Sequence, residues 1–530
     1  MVIQGRLIAL AVVAFVVAAG CSPATAPGAS PSVSASAAAS AGPQRGGELV
    51  MAIRADVTTL DPRIAGTNNN NRLVTHIWSN TLVQLNEKLE YVPELADSWE
   101  RSADGLSWTF KLKKGVKFHD GSAFTAKDVK FTIESVMDPA LKSPFRTSWV
   151  IGGKNTKVDI VDDYTVKMTF PAQPSEPLLQ VVFQRILPKD YVDKVGNEGF
   201  NAKPIGTGPF KFVSYTKADK LVFERNPDYF KSGLPYLDKL TVRVILDPAT
   251  RLASMQAGEI MLSILNADDL KITAKDANLK NYIYLYSGYY YMAYNERDPL
   301  LKDKRVRQAI NYAINSQEII DAVIVGAPAH NMVPPAMAAY DASAPKYALD
   351  VNKTKSLLTA AGYPNGIDIT ILGLAGLQPY QQIAEVVQNQ LNRTGAIRAK
   401  LQLVDFTTAF VPRVFTDYNY QAAITALTAV TPTEAFNNFA GGTTPDDENF
   451  MAYYNAEVQK LIDDAKAVRQ SNPSKATEDY KQLQKLIWED APMSWLGYWG
   501  TSWTARSSVQ GFIGHPNQSF EYLEQVWLKK

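Results

Sequence analysis

Residues 96–134 read ADSWERSADGLSWTFKLKKGVKFHDGSAFTAKDVKFTIE, and two different periodicities meet inside this stretch. Trp108, Phe110 and Leu112 alternate with Thr109, Lys111 and Lys113, the period of two expected of a strand with one buried face. Val129, Ile133, Val136 and Met137 then fall at i, i+4, i+7 and i+8, one stripe of a helix, and Thr125 with Asp128 has the spacing of a capping box at its start. His119-Asp120-Gly121 lies between the two and reads as a strand-to-helix turn, which makes His119 a structural residue rather than a ligand.

The same alternation continues outward. Val166, Met168 and Phe170, and Leu240, Val242 and Val244, have strand spacing. In the second half, Val306, Ala309, Ile310, Ala313 and Ile314 form one helical stripe. Ile319, Ile320, Val323 and Ile324 form the next, with Gly326 placed to end it. Asn352 opens a further helix that closes at Gly362, and Gly366 precedes an apolar strand from Ile367 to Leu372. A helix carrying Ile383, Val386, Val387 and Leu391 leads through Gly395 into Ile397, Ala399, Leu401 and Leu403 at strand spacing, the order of a parallel βαβ unit. Arg305 and Arg307 flank Val306 and read as surface or interdomain ion-pair residues of small individual value. The fold class is therefore α/β.

The N-terminus reads differently. Arg6 precedes an unbroken apolar run from Leu7 to Ala19, and small residues stand directly before Cys21, so residues 1–20 read as a secretory signal peptide. Residues 21–45 are nearly all Ala, Ser, Pro, Gly and Thr, a tether with nothing to bury, reaching roughly 25 to 30 Å as a flexible chain. No later stretch approaches the ~20 apolar residues of a membrane-spanning helix. The 530 residues carry 54 Lys+Arg against 53 Asp+Glu, and loss of residues 1–20 removes only Arg6, so no charge bias favours nucleic acid. The single cysteine excludes an intramolecular disulfide and a cysteine-based zinc site.

Signatures of catalysis are missing. His76, His119, His330 and His515 are scattered, and no G-x-S-x-G, H-E-x-x-H or Walker loop occurs. Gly206 and Gly208 begin a G-x-G-x-x-G, but Lys211 stands at the third position, so this reads as a tight loop. Asp446-Asp447-Glu448 lacks the pattern of a calcium loop and reads as solvated surface. No catalytic residue, metal or cofactor is expected. An extracellular hydrolase with paired carboxylates is the disfavoured other class.

Residues 96–134 resemble the signature of the family 5 extracellular solute-binding proteins, the dipeptide, oligopeptide and nickel receptors of ABC importers. Further matching segments follow in the family's order: PIGTGPFKF from Pro204, ERNPDYF from Glu224, PYLDKLTVRVI from Pro235, RLASMQAGEI from Arg251, KDKRVRQAINYAI from Lys302 and AAGYPNGIDITIL from Ala360. The position of Cys21 resembles a bacterial lipobox, whose cysteine carries the lipid anchor, although Ala18 departs from the usual leucine.

The resemblance implies a two-lobed periplasmic-binding-protein fold of type II, in the peptide-receptor class with an extra domain. Residues 46–77, 204–290 and 500–530 would form the first lobe, 78–203 the inserted extra domain and 291–499 the second lobe. It further implies an extracytoplasmic, lipid-anchored monomer that encloses a small solute and hands it to an ABC permease and its ATPase subunits. An oligopeptide or dipeptide is the leading solute, an oligosaccharide the alternative and a nickel chelate the second. Peptide receptors of the family hold the peptide's α-ammonium with an aspartate in a W-x-x-D-Y-like segment. Here the aligned segment runs from Ile424 to Glu434, with Leu427 at the aromatic and Val430 at the aspartate. Thr428 lies between them, and Glu434 could substitute, its other reading being a solvent-facing first-turn residue of a helix near Pro432. The remaining expected wall residues are Asn69 and Asn70 within Asn68–Asn71, Tyr289 and Tyr291 near the hinge, and Trp499 and Trp503 in the carboxy-terminal crossing segment.

Overall fold

The computed structural model describes residues 42–65, 69–172, 177–429, 431–436, 439, 449–469, 471–515 and 522–530. Cys21, Asn68, Val430 and the acidic run 446–448 lie outside them. Among the described residues no helix is long and apolar enough to cross a membrane.

The opening stretch folds as its two periods require. Strand Ser107–Leu112 turns Trp108, Phe110 and Leu112 inward, within a four-stranded antiparallel sheet ordered Ala96–Arg101, Ser107–Leu112, Thr165–Thr169, Lys157–Asp162. Helix Ala126–Met137 lays Val129, Ile133, Val136 and Met137 on that sheet, each fully buried or nearly so, and each such side chain contributes about 1.5–3 kcal/mol of transfer free energy. At its start the Asp128 carboxylate accepts the Thr125 N–H at 2.9 Å.

His119 ties this unit to the loop at Gly206. Its N–H donates to the Gly206 carbonyl at 2.9 Å, its Nε2 donates to the Gly208 carbonyl at 3.0 Å, and its Nδ1 accepts the Gly206 N–H at 3.3 Å. That is the pattern of a neutral ring. Both glycines press on backbone: a Cβ at Gly206 would stand 2.4 Å from the Trp78 carbonyl oxygen, and one at Gly208 would stand 2.3 Å from the Trp78 carbonyl carbon. The glycine pair therefore serves close packing.

A second sheet of eleven strands runs through the rest of the chain. Its first part places Glu48–Ile53 parallel to both Lys239–Val244 and Leu262–Ile264, over a core containing Leu49, Met51, Leu240, Val242 and Trp503. Leu187, Val192 and Phe200 pack into this same core. Its last part is the expected βαβ unit, in which strand Ile367–Leu374 lies parallel to Ile397–Val404 and helix Tyr380–Arg393 connects them. Two long antiparallel strands, Leu279–Tyr294 and Met493–Arg506, join the parts. Tyr289, Tyr291 and Ala293 enter a core on one face of the sheet, while Tyr290, Met292 and Tyr294 enter a core on the other, so the sheet is buried on both sides here.

Several local readings change. Gly326 does not end a helix: helix Ser316–Ala322 stops earlier, and Gly326 pairs with Trp499 as a short strand, where a Cβ would stand 1.9 Å from the Tyr498 carbonyl oxygen. Helix Val351–Ala360 is capped by Asp350 rather than opened by Asn352, because the Asp350 carboxylate reaches the Lys353 N–H at 2.8 Å. The largest change concerns Arg307. Arg305 is exposed and pairs with Asp303 at 2.6 Å, but Arg307 is buried against Glu296 at 3.2 Å. Its guanidinium also donates to the carbonyls of Leu301, Lys302, Asp490 and Ala491, the last two at the end of helix Pro473–Asp490. Burial pushes the Glu296 carboxyl up to about 7, against the pull of Arg307.

Two outcomes follow. Arg307→Met leaves a buried carboxylate and four carbonyls without their donor, so urea unfolding should show a loss of ~3 kcal/mol or more. Arg305→Met should cost under ~1 kcal/mol. Equal losses would contradict the distinction.

For His119, burial lowers the ring from 6.5 to about 4; Lys211 acts in the same direction, and the Gly208 hydrogen bond and Asp120 oppose it. Between those two values the unfolded chain binds a proton that the folded ring refuses. The stability His119 supplies is therefore complete above pH 6.5 and is lost as the pH falls toward 4. In a stability–pH series over that window, His119→Gln should flatten the slope by up to about 1.4 kcal/mol per pH unit. An unchanged slope would show the ring to be charged in the fold.

Candidate functional site

Strand Ala422–Thr428 ends at the short helix Pro432–Phe436, and this helix organises the cleft between the four-stranded unit and the second half of the chain. Thr431 and Glu434 form a reciprocal box. The Thr431 N–H donates to Glu434 Oε2 at 3.2 Å, and the Glu434 N–H donates to Thr431 Oγ1 at 3.3 Å. Between them, Thr433 faces inward, where its Oγ1 meets the Tyr480 hydroxyl at 2.7 Å and accepts from Arg469 at 2.7 Å. Phe436 stacks on Tyr480 with ring centres 5.3 Å apart and planes 5° from parallel. The helix is thus pinned to Pro473–Asp490 on one side and presents Glu434 on the other.

Two cavities flank it. The smaller, about 300 Å³, is lined by Glu434 from the second half and by Phe145, Trp149, Gln180, Phe183 and Gln184 from the four-stranded unit. Gln180 Oε1 is buried there with no donor among the described residues. The larger, about 510 Å³, lies between Tyr91, Trp99, Arg101 and Leu178 on one side and Ala338, Thr433, Arg469 and Tyr480 on the other. A third hollow of about 440 Å³ belongs wholly to residues 295–422, within the second half. The first two bring together the halves of the chain, as a site for an enclosed solute must.

Of the residues expected at the site, Glu434 lines a cavity and is half-buried rather than solvent-facing. Thr428 is exposed at its strand end, opposite Gly288. Tyr289 and Tyr291 are buried side by side with ring centres 5.5 Å apart, and burial raises the Tyr289 hydroxyl well above its ordinary value. Trp499 is half-buried, edge-on to Tyr290 at 4.8 Å. Trp503 is 1% exposed in the first core, edge-on to Phe512. None of these aromatics lines either cavity. Asn69 and Asn70 begin helix Asn69–Trp78, and their side chains, like Val430, lie outside the described residues. Their neighbour Asn71 is buried and bonded to Thr58 and Ala65, a structural role. Sequence reasoning missed Trp99, Arg101, Gln180, Arg469 and Tyr480, which come from three separate stretches of the chain. The one available signal was the alternation of Trp99 and Arg101 along a strand.

The profile of the bacterial extracellular solute-binding proteins, family 5 middle, matches residues 90–449. The chain belongs to this family. Oligopeptide-binding protein AppA of Bacillus subtilis is 30% identical over 511 residues, 92% of this chain and 93% of that protein. Among solved structures, HbpA2 from Haemophilus parasuis is 26% identical with a TM-score of 0.82, covering 91% of this chain and 100% of the other. Bacillus subtilis AppA in complex with a nonapeptide gives 30% identity and a TM-score of 0.66, over 92% and 100%. The fold of this family 5 member is therefore the two-lobed periplasmic-binding-protein fold of the peptide-binding type, and the paired cores and crossing strands described above are its expression in this chain.

Proposed function

We propose that this family 5 chain is the substrate-binding component of an ABC importer and captures an oligopeptide or dipeptide in the cleft beside Pro432–Phe436. It is a non-catalytic receptor. The observation that supports this reading most is the full-length likeness to a protein named for oligopeptide binding and to its nonapeptide complex. The cleft agrees chemically, since the larger cavity has mainly aromatic and apolar walls with two arginines, and the smaller sets Phe145, Trp149 and Phe183 beside Gln180, Gln184 and the Glu434 carboxylate. In this reading Glu434, which lines the smaller cavity, takes the α-ammonium in place of the family's aspartate, whose position aligns with Val430, and Thr428 contributes from the nearby strand end. The chain works outside the cytoplasm, anchored through a lipid on Cys21 and the tether of residues 21–45. It delivers its solute as a monomer to the permease, and the partner ATPase supplies the energy of transport.

Native mass spectrometry of protein purified from its own cells should show a ladder of co-purified peptides, whereas a sugar series would overturn the peptide reading. By calorimetry, N-acetylation of a bound peptide should weaken binding by about tenfold or more in the wild type, the scale of a charged hydrogen bond, and much less in Glu434→Gln. An acetylation penalty that persists in the variant would place the ammonium at another carboxylate.

A further inference from the structure

Arg101 ends strand Ala96–Arg101 and stands directly opposite Trp108 in the antiparallel ladder, so both side chains, with Trp99 two residues earlier, share one face of the small sheet. All three line the larger cavity. The Arg101 guanidinium makes no hydrogen bond or ion pair with any described residue, and its Nε is out of contact with solvent. Trp108 Nε1 is likewise buried with no acceptor among the described residues. Two neighbouring donors are thus without acceptors, where buried polar groups in native proteins are paired in nine cases of ten or more.

The guanidinium also packs closely on one side. It lies against the turn at Gly105, whose φ is +74° and where a Cβ would stand 1.9 Å from Arg101 Nη2. The wall opposite contributes a second cation, Arg469, whose Nη1 holds Thr433, and the described lining of this cavity contains no Asp or Glu. A partly desolvated guanidinium between aromatic walls, with no carboxylate beside it, is complementary to a planar anion brought in from outside.

We propose that Arg101 is an anion-binding subsite that receives a carboxylate of the captured solute. This rests on the peptide reading and deepens it: peptide bound at Glu434 through its ammonium would present its C-terminal carboxylate, or an acidic side chain, across the short helix to Arg101. The recognised solute is then a zwitterion read at both ends.

The test uses the tetrapeptide Ala-Phe-Phe-Ala as free acid, its C-terminal amide, and Ala-Phe-Glu-Ala amide, titrated into wild type, Arg101→Met and Arg101→Lys. The free acid should bind the wild type at least about tenfold more tightly than the amide, and Arg101→Met should remove most of that difference by weakening the acid far more than the amide. Arg101→Lys should recover part of the difference. If the glutamate-bearing amide regains the affinity, the carboxylate comes from a side chain; if it does not, the C-terminus is the source; either result supports the subsite. Thermal unfolding should be unchanged in Arg101→Met, because no partner is lost. Equal loss for acid and amide, or loss for neither, would overturn the inference while the peptide reading stands. If no peptide binds at all, that reading fails, and the fragment pair 3-phenylpropionate and 3-phenylpropionamide decides the subsite alone. A change in tryptophan emission with the acid only, abolished in Arg101→Met, supports it. The same response to both fragments, or to neither, overturns it.

Discussion

Everything in this fold depends on one ladder, the antiparallel pairing of Leu279–Tyr294 with Met493–Arg506. The two strands are shared by cores that are otherwise separate. Trp503 packs with Leu49 and Leu240, while Trp495 and Tyr498, a few residues earlier on the same strand, pack with Tyr289 and Tyr291. The pairing loses register twice, between Leu285 and Tyr289, at the changeover from one core to the other, and again between Tyr290 and Tyr291. Glycine is required at the first of these. A Cβ at Gly288 would stand 2.7 Å from the Leu427 carbonyl oxygen and 2.8 Å from the Trp499 ring, and one at Gly500 would stand 3.0 Å from the Tyr284 carbonyl oxygen. Two rigid cores joined by a short irregular stretch of sheet are the ingredients of hinge motion, because a few residues can absorb the backbone change while each core stays packed.

The cleft inherits its character from this arrangement. Its walls come from units that do not share a core, so their polar groups need not be satisfied by one another, and the short helix Pro432–Phe436 is anchored to the helix Pro473–Asp490. Thr433 and Phe436 secure it to the helix carrying Tyr480, which leaves Glu434 facing one cavity and places the arginines at the other. The carboxylate and the arginines thus line different cavities on either side of the helix. A solute that bridges them gains contacts available only when both walls are present, and only such a difference in affinity between open and closed states can drive closure.

Much of the architecture was legible in the sequence because it rests on local periodicity. The strand at Trp108, the helix at Val129 and the βαβ unit from Ile367 to Val404 each bury a face that the spacing of apolar residues marks in advance. What was not legible depends on distant partners. Arg307 looks like its neighbour Arg305 until the end of helix Pro473–Asp490 arrives to occupy it. Gly326 looks like a helix stop until strand Met493–Arg506 passes within reach of where its Cβ would be. Tyr289, Tyr291 and Trp503 lie on the crossing strands, as their positions suggested, but their rings turn into the cores, because a sheet covered on both faces has no side to spare for a ligand. The cleft residues Trp99 and Arg101 share a strand face that their alternation marks, but nothing local joins them to Tyr480, since that proximity is a product of the fold.

The central claim is that solute is captured by closure of two lobes about the crossing strands, and small-angle X-ray scattering tests it most directly. Protein stripped of bound solute by partial unfolding and refolding, then saturated with the peptides that co-purify with it, should show a smaller radius of gyration and a narrower distance distribution than the stripped protein. A scattering curve unchanged at saturating ligand would contradict closure about this ladder.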